Sequence, residues 1–312
     1  MKRNTIKMKA AILLVTAAAL LSACNNKPSE ESKKTEDQQH EAATDHDHEH
    51  TYVCPMHPEI SGHKEESCSK CGMPLEEKHE NATAESFQMQ FNSSPESIEA
   101  GKPATLILTP KNKSNNSTTV PLDVQHDKKV HLIAVSEDLS WYSHLHPEYG
   151  TEGSYTVSET FPSGGNYILY ADYKPSGSTT QLEKIVVEVK GKAKPAINYS
   201  SIKNTSSSSP FSVLLKPDDG KFIANKDIHF DGVFTKSGGK FDVNQLQNYL
   251  GAKGHMVLIH TETKEFMHLH PEVEGSILHF HTHFKNKGFY RAWLQFMDDG
   301  KLYNTDYVIQ VE

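Results

Sequence analysis

Residues 255–272, HMVLIHTETKEFMHLHPE, repeat residues 131–148, HLIAVSEDLSWYSHLHPE, without a gap. The opening His and the closing His-Leu-His-Pro-Glu are shared. Most positions between them exchange one apolar residue for another or one polar residue for another. Such a pair marks a duplicated module whose fixed points are histidines. Whatever one copy folds into, the other is expected to fold into as well.

The texture around each copy is that of short strands. In the first module, Phe87, Met89 and Phe91 alternate with polar residues, and Ala104 to Leu108 follows the turn-like Ala100-Gly101-Lys102-Pro103. Further strands are expected at Val130 to Val135, Trp141 to His146, Ser154 to Glu159, Asn166 to Tyr173 and Lys184 to Val189. The second module repeats the order, with Phe211 to Leu215, Asp227 to Phe234, His255 to His260, Phe266 to His270, Ile277 to Phe284, Phe289 to Phe296 and Tyr303 to Val311. No comparable helical periodicity occurs. Gly165-Asn166-Tyr167 with Tyr170 and Tyr173 matches Gly288-Phe289-Tyr290 with Trp293 and Phe296, and these read as core and corner aromatics. The fold expected is mostly β: a small metal-organised N-terminal module, then two tandem antiparallel β-sandwiches of immunoglobulin- or cupredoxin-like architecture, at 86–190 and 211–312. Residues 191–210, ending in the serine run Ser206 to Ser209, read as the linker between them.

The N-terminus carries an address. A basic Met1 to Lys9, a short apolar run Ala10 to Leu20 and then Leu21-Ser22-Ala23-Cys24 make residues 1–23 a secretory signal. Leu-Ser-Ala-Cys resembles the lipobox of bacterial lipoproteins, which implies cleavage before Cys24, lipidation of that Cys, and an extracytoplasmic protein held at the membrane by it. The net charge of the 312-residue chain is −8, and loss of Lys2, Arg3, Lys7 and Lys9 with the signal makes it more acidic still. That balance argues against nucleic acid as a partner and for cations. Residues 24–51 are polar and acidic, a disordered tether ending in Asp45-His46-Asp47-His48-Glu49-His50, whose imidazoles and carboxylates can gather a divalent ion loosely.

Residues 52–77 place Cys54 and His57 in C-x-x-H spacing and Cys68 and Cys71 in C-x-x-C spacing. Together these offer the four N and S ligands of a tetrahedral site, and so short a segment has little else to organise its fold. With Cys24 set aside, three cysteines remain, an odd set that does not suit a disulfide framework. The run Cys-Pro-Met-His-Pro-Glu with the later Cys-x-x-Cys-Gly-Met-Pro-Leu resembles the small heavy-metal-binding domain of bacterial metal-efflux adaptors and some metal-pumping ATPases. That resemblance implies Cys54, His57, Cys68 and Cys71 as ligands, with Met56 and Met73 as soft thioether ligands for Cu(I). The family usually carries a proline in the second knuckle, where this chain reads Cys68-Ser69-Lys70-Cys71. Residues 248–255, Asn-Tyr-Leu-Gly-Ala-Lys-Gly-His, with the following His-Leu-His-Pro, resemble secreted bacterial domains attached to such modules.

Strand alternation puts His268 and His270 on one face, and likewise His144 and His146. If His255 lies opposite His270 in a hairpin, and His131 opposite His146, each copy gathers three imidazoles, and a one-residue slip would dissolve the set. The second copy alone continues into His279, His281 and His283, so it is expected to be the stronger metal site and the first copy a lesser one or a retained scaffold. His260, which aligns with Ser136, and His229 are weaker candidates. Glu148 and Glu272 read equally as carboxylates that orient an imidazole and as exposed acids.

The reading that follows is a non-enzymatic, membrane-anchored protein that binds metal ions. Its expected role is copper sequestration or delivery, with a metal-efflux transporter as a possible partner. Cu(II) suits the imidazole faces and Cu(I) the thiolate and thioether module, while zinc fits either. The alternatives are a zinc-binding lipoprotein and a copper-dependent oxidoreductase of the superoxide dismutase kind. Against an enzyme, the β-modules have no Cys for a blue-copper ligand, no nucleophile context and no phosphate loop. Binding through ordinary imidazoles is expected to weaken between about pH 7.5 and 5.

Overall fold

Alternating burial builds the first sandwich. The computed structural model describes residues 52–54, 60–64, 66–68, 75–77, 86–115, 120–150 and 152–312. The signal at 1–23, Cys24, the tether at 24–51, and Met56, His57, Cys71 and Met73 lie outside the described residues. In β4 (Phe87–Ser94) and β6 (Ala104–Asn112) every second side chain faces inward. These two pair with β10 (Tyr155–Glu159) and β9 (Glu148–Tyr149) in the order β4-β6-β10-β9. The opposing sheet has the order β5-β12-β11-β7-β8. Its strands are β5 (Ile98–Glu99), β7 (Val130–Ser136), β8 (Tyr142–Leu145), β11 (Gly165–Tyr173) and β12 (Gln181–Lys190). Between the sheets lies a core that includes Leu106, Leu108, Leu132, Phe161, Tyr167 and Leu169.

The second sandwich repeats this plan. One sheet runs β13 (Thr205–Ser208), β14 (Phe211–Pro217), β15 (Asp227–Lys236), β20 (Ile277–His283), β19 (Glu272–Glu274), with β16 (Gly239–Lys240) also on β15. The other runs β18 (Phe266–Leu269), β17 (His255–His260), β21 (Gly288–Asp298), β22 (Lys301–Val311). Phe211, Phe230, Phe234, Phe280, Phe284 and Phe296 fill the space between them. Each module has a tyrosine corner: Tyr167 donates to the Ser163 carbonyl at 2.9 Å and Tyr290 to the Asn286 carbonyl at 2.9 Å. The serine run corrects the expected linker. Thr205–Ser208 pairs antiparallel with Phe211–Leu214, because an edge strand with one wet face accepts small polar side chains that composition alone assigns to a loop.

The heavy-metal stretch contributes β1 (Tyr52–Val53), β2 (Ser61–Gly62) and β3 (Glu76–Glu77) in the order β2-β1-β3. Cys54 and Cys68 are fully buried and, with Leu75, join the core cluster of the second sandwich. The described residues, from Tyr52 to Glu312, form one compact unit. Among the described residues no helix is long and apolar enough to cross a membrane.

The strands β7 and β17 are buried at every position, unlike their alternating neighbours. One face of each packs into its own core, through Leu132 and Ala134 or Met256 and Leu258. The other face meets the other module. Ile133, Val135, Leu139, Ile168 and Tyr170 close against Val257, Ile259, Phe266 and Trp293 in a third buried cluster. Tyr142 stacks on Trp293 at 4.7 Å and 9°, and Tyr170 stacks on Phe266 at 4.6 Å and 16°. By the repeat, Tyr142 corresponds to Phe266 and Tyr170 to Trp293. The two stacks therefore exchange with one another, which makes this an isologous, pseudo-two-fold interface within one chain.

Candidate metal centre

The histidine faces of both repeats open into that interface. β17 and β18 pair with Met256 opposite Leu269 and Val257 opposite His268, so His255 and His270 are neighbours one step beyond the ladder. In the first copy Leu132 lies opposite Leu145 and Ile133 opposite His144. His131, His144 and His146 thereby form one group and His255, His268 and His270 another, each with ligand nitrogens within 4.8 Å of one another. The same pleat face carries Ile133 and Val135, or Val257 and Ile259, into the module interface. His131, His255 and His268 are thus buried between domains and His144, His146 and His270 half-buried, rather than displayed on a surface.

Hydrogen bonds fix the tautomers. His131 donates from Nε2 to the Gln125 carbonyl at 3.0 Å, and His255 from Nε2 to the Tyr249 carbonyl at 2.7 Å. Their Nδ1 lone pairs are then aimed inward. His144 directs Nδ1 at Gln295 Oε1 at 2.8 Å, and the equivalent His268 Nδ1 lies 3.9 Å from Asp172 Oδ2. Their Nε2 atoms complete two inward pairs, His131 Nδ1 with His144 Nε2 and His255 Nδ1 with His268 Nε2, both 3.4 Å apart. Two ligands about 2.0–2.1 Å from a tetrahedral ion stand roughly 3.3 Å apart, so the spacing suits a shared cation better than a pair of opposed lone pairs. The third member of each group strengthens the fit. His146 Nε2 and both nitrogens of His270 are buried with no hydrogen-bond partner, a costly arrangement that a metal ligand would relieve.

The two groups adjoin. Ring centroids of His144 and His268 are 5.5 Å apart, those of His131 and His268 5.8 Å, and those of His144 and His255 5.9 Å. Burial, followed by the proximity of other imidazoles, holds the rings neutral. Desolvation brings His131 and His255 down to about 4 and His146 to about 3, while His144, His268 and His270 fall well below the ordinary imidazole range. Neutral imidazole is the form that ligates metal.

A seventh ring, absent from the expected set, is His126. It stacks on His270 at 4.0 Å and 28° from a loop residue with φ of 45°. Its second-copy equivalent is Leu250, so the repeat gave no signal for it. Glu148 and Glu272 are exposed, and Glu148 is paired with Lys128 at 2.5 Å. His260 caps its own hairpin turn, accepting from the Glu262 and Thr263 amides at Nδ1. Ser136 caps the equivalent turn through its hydroxyl.

His279, His281 and His283, which led us to expect the second copy to be the stronger site, do not join its triad. They stand on β20, in the sheet opposite β17 and β18, with Leu278, Phe280 and Thr282 turned into the core. Their side chains lie on the outer face of that sheet.

The family model described as a domain of unknown function (DUF8832) matches residues 82–191 and again 211–312, and that described as a heavy metal binding domain matches residues 51–78. The second match supports metal ion binding. No curated protein matches. Among solved structures, fibronectin(III)-like modules of Clostridium thermocellum CbhA are 16% identical, covering 72% of this chain and 93% of theirs at a TM-score of 0.20. The FN1-FN3 domains of chicken CNTN1 are 9% identical, covering 76% of this chain and 70% of theirs at a TM-score of 0.20. Overlap at that level does not establish the fold, which rests on the strand order above.

Proposed function

The chain belongs to the DUF8832 family, with two copies of that domain behind a heavy metal binding domain, and on that premise we propose that it collects copper outside the cytoplasmic membrane for sequestration or delivery. The observation that carries this reading is the pair of three-imidazole groups meeting across the module interface. Six neutral nitrogen donors, with the Asp172 carboxylate 3.9 Å from His268, favour a borderline divalent ion, Cu(II) foremost and Zn(II) second. Thiolates at Cys54 and Cys68, with the neighbouring thioethers, add a soft site for Cu(I). The lipobox-like Leu21-Ser22-Ala23-Cys24 supports attachment to the membrane, from which the ion would pass to an efflux transporter.

Equilibrium dialysis of the purified protein against micromolar Cu(II) or Zn(II), followed by metal analysis, tests the binding. At least two ions per chain are expected from the triads, both lost in a His144→Ala/His268→Ala variant. Retention of less than one ion per chain would overturn the reading. The pairing of the triads also favours a second reading, a copper oxidoreductase, because two neighbouring copper ions can exchange two electrons with one substrate. Phenol oxidation by the copper-loaded protein with dioxygen as the oxidant, abolished by His268→Ala, would select it.

A further inference from the structure

The outer face of β15 and β20 carries a ladder that the paired triads do not use. Asp227 stands opposite His283, His229 opposite His281 and Asp231 opposite His279. Alternation turns all six side chains to the same side, because Ile228, Phe230, Leu278, Phe280 and Thr282 between them are buried. Each histidine of β20 has one nitrogen committed to an oxygen acceptor. His279 donates from Nδ1 to Asp231 at 3.0 Å, His283 from Nδ1 to Asp227 at 3.0 Å, and His281 from Nε2 to the Cys68 carbonyl at 2.8 Å. The opposite nitrogen of each ring therefore bears a lone pair. A carboxylate or carbonyl behind an imidazole is the arrangement that orients metal-binding histidines and raises their basicity.

We propose that this face is a third metal site, in which His279 Nε2 and His229 Nδ1 hold one borderline divalent cation, Zn(II) or Cu(II). The two named nitrogens are 3.1 Å apart, within the spacing of ligands on a common ion. Unlike the buried His131, His255 and His268, His229 is exposed and the other rings partly so, which leaves the ion accessible and the site faster to fill and empty. Its location supplies the second observation. The heavy metal binding segment rests on this face through the Cys68 carbonyl, so an ion leaving a thiolate there meets imidazoles at once. Asp231 is a positioning residue, acting through His279.

The test uses the full chain in a His144→Ala/His268→Ala background, which removes the triads, and reads Zn(II) bound by equilibrium dialysis. The proposal expects that adding His229→Ala and His279→Ala lowers the stoichiometry by one. Asp231→Asn alone is expected to weaken that ion's affinity by about 10- to 100-fold while keeping the stoichiometry. Unchanged stoichiometry and affinity in all these variants, with melting temperature preserved, would overturn it and mean that the His229–His279 contact is only a hydrogen bond. Because the triads are absent throughout, the outcome is separate from that of the dialysis experiment on the triads themselves.

Discussion

At the scale of single residues, burial changes what acid does to this protein. An ordinary imidazole titrates near pH 6.5, and competition from protons would then erode metal affinity between pH 7.5 and 5. Here desolvation lowers His131 and His255 to about 4 and His146 to about 3. In the folded protein protons compete only below about pH 5, so copper affinity measured by competition titration is expected to be flat from pH 7.5 to 5 and to fall below that. A decline centred near pH 6.5 would place the ion on exposed histidines instead. Stability of the metal-free protein has the opposite sensitivity. Between about pH 6.5 and 4 the unfolded chain binds protons at these histidines and the native chain does not, so stability rises with pH through that window and is lost as pH falls through it. Urea midpoints of the metal-free protein at pH 7, 5.5 and 4.5 are expected to decrease in that order. Gln295 gives a second prediction. It accepts from His144 Nδ1 and so presents His144 Nε2 to the ion. Gln295→Leu is expected to weaken Cu(II) binding by about 10- to 100-fold with little change in stoichiometry, as read by calorimetry.

At the scale of elements, the two stacks show how strands fix the histidines. Trp293 of β21 lies against Tyr142 of β8, and truncating it leaves a cavity beside both triads. Trp293→Ala is expected to cost about 3–5 kcal/mol in chemical denaturation and to lower metal affinity, because the strands that carry the imidazoles lose their support. Gly288 at the start of β21 is a narrower test. It adopts φ of 133°, and an added Cβ would sit 2.7 Å from His260 Nε2; Gly165, its equivalent, has φ of 124° and open space beside it. Both alanine substitutions are expected to destabilise, by about 1–3 kcal/mol for the backbone conformation, with Gly288→Ala the worse because the His260 ring must also move. The sequence made much of this legible. Alternation in β4, β6 and β20 located strands and faces, and the H-x-H spacing located the triads. The uninterrupted apolar runs Leu132 to Val135 and Met256 to Ile259 fit strands buried on both faces, but they were read only as strands, because periodicity cannot say what covers the second face. That cover is the other repeat, a contact between residues about 90 to 150 positions apart, which is why two separate sites were expected where the two histidine groups meet. His126 escaped because its place comes from a loop with positive φ, which no spacing rule reaches.

At the scale of the whole molecule, the duplication has internalised what would otherwise be a homodimer interface. In a dimer of single modules, the pairing of triads would depend on protein concentration; in the tandem chain, covalent connection holds the two faces at high effective concentration and makes the paired site permanent. An ion in either triad bridges strands of one hairpin, and residues from the other module support it, as Gln295 supports His144 and Asp172 faces His268. Metal that binds only the folded form adds stability by mass action, about 2.7 kcal/mol per site at a hundred-fold excess over Kd. A chelator is therefore expected to lower the melting temperature, and more so in the wild type than in His144→Ala/His268→Ala. The same closeness makes a sharper prediction. With rings of the two triads 5.5 to 5.9 Å apart at centroid, two Cu(II) ions held by them lie near enough for their unpaired electrons to interact. In a His229→Ala/His279→Ala variant, which removes the outer-face histidines, electron paramagnetic resonance of the protein loaded with two Cu(II) equivalents is expected to show dipolar broadening or loss of signal intensity. The same variant with one triad removed by His131→Ala/His144→Ala/His146→Ala should bind one Cu(II) and give a full, unbroadened signal. Full intensity from two non-interacting Cu(II) ions in the first variant would mean that the ions occupy sites farther apart than the paired triads.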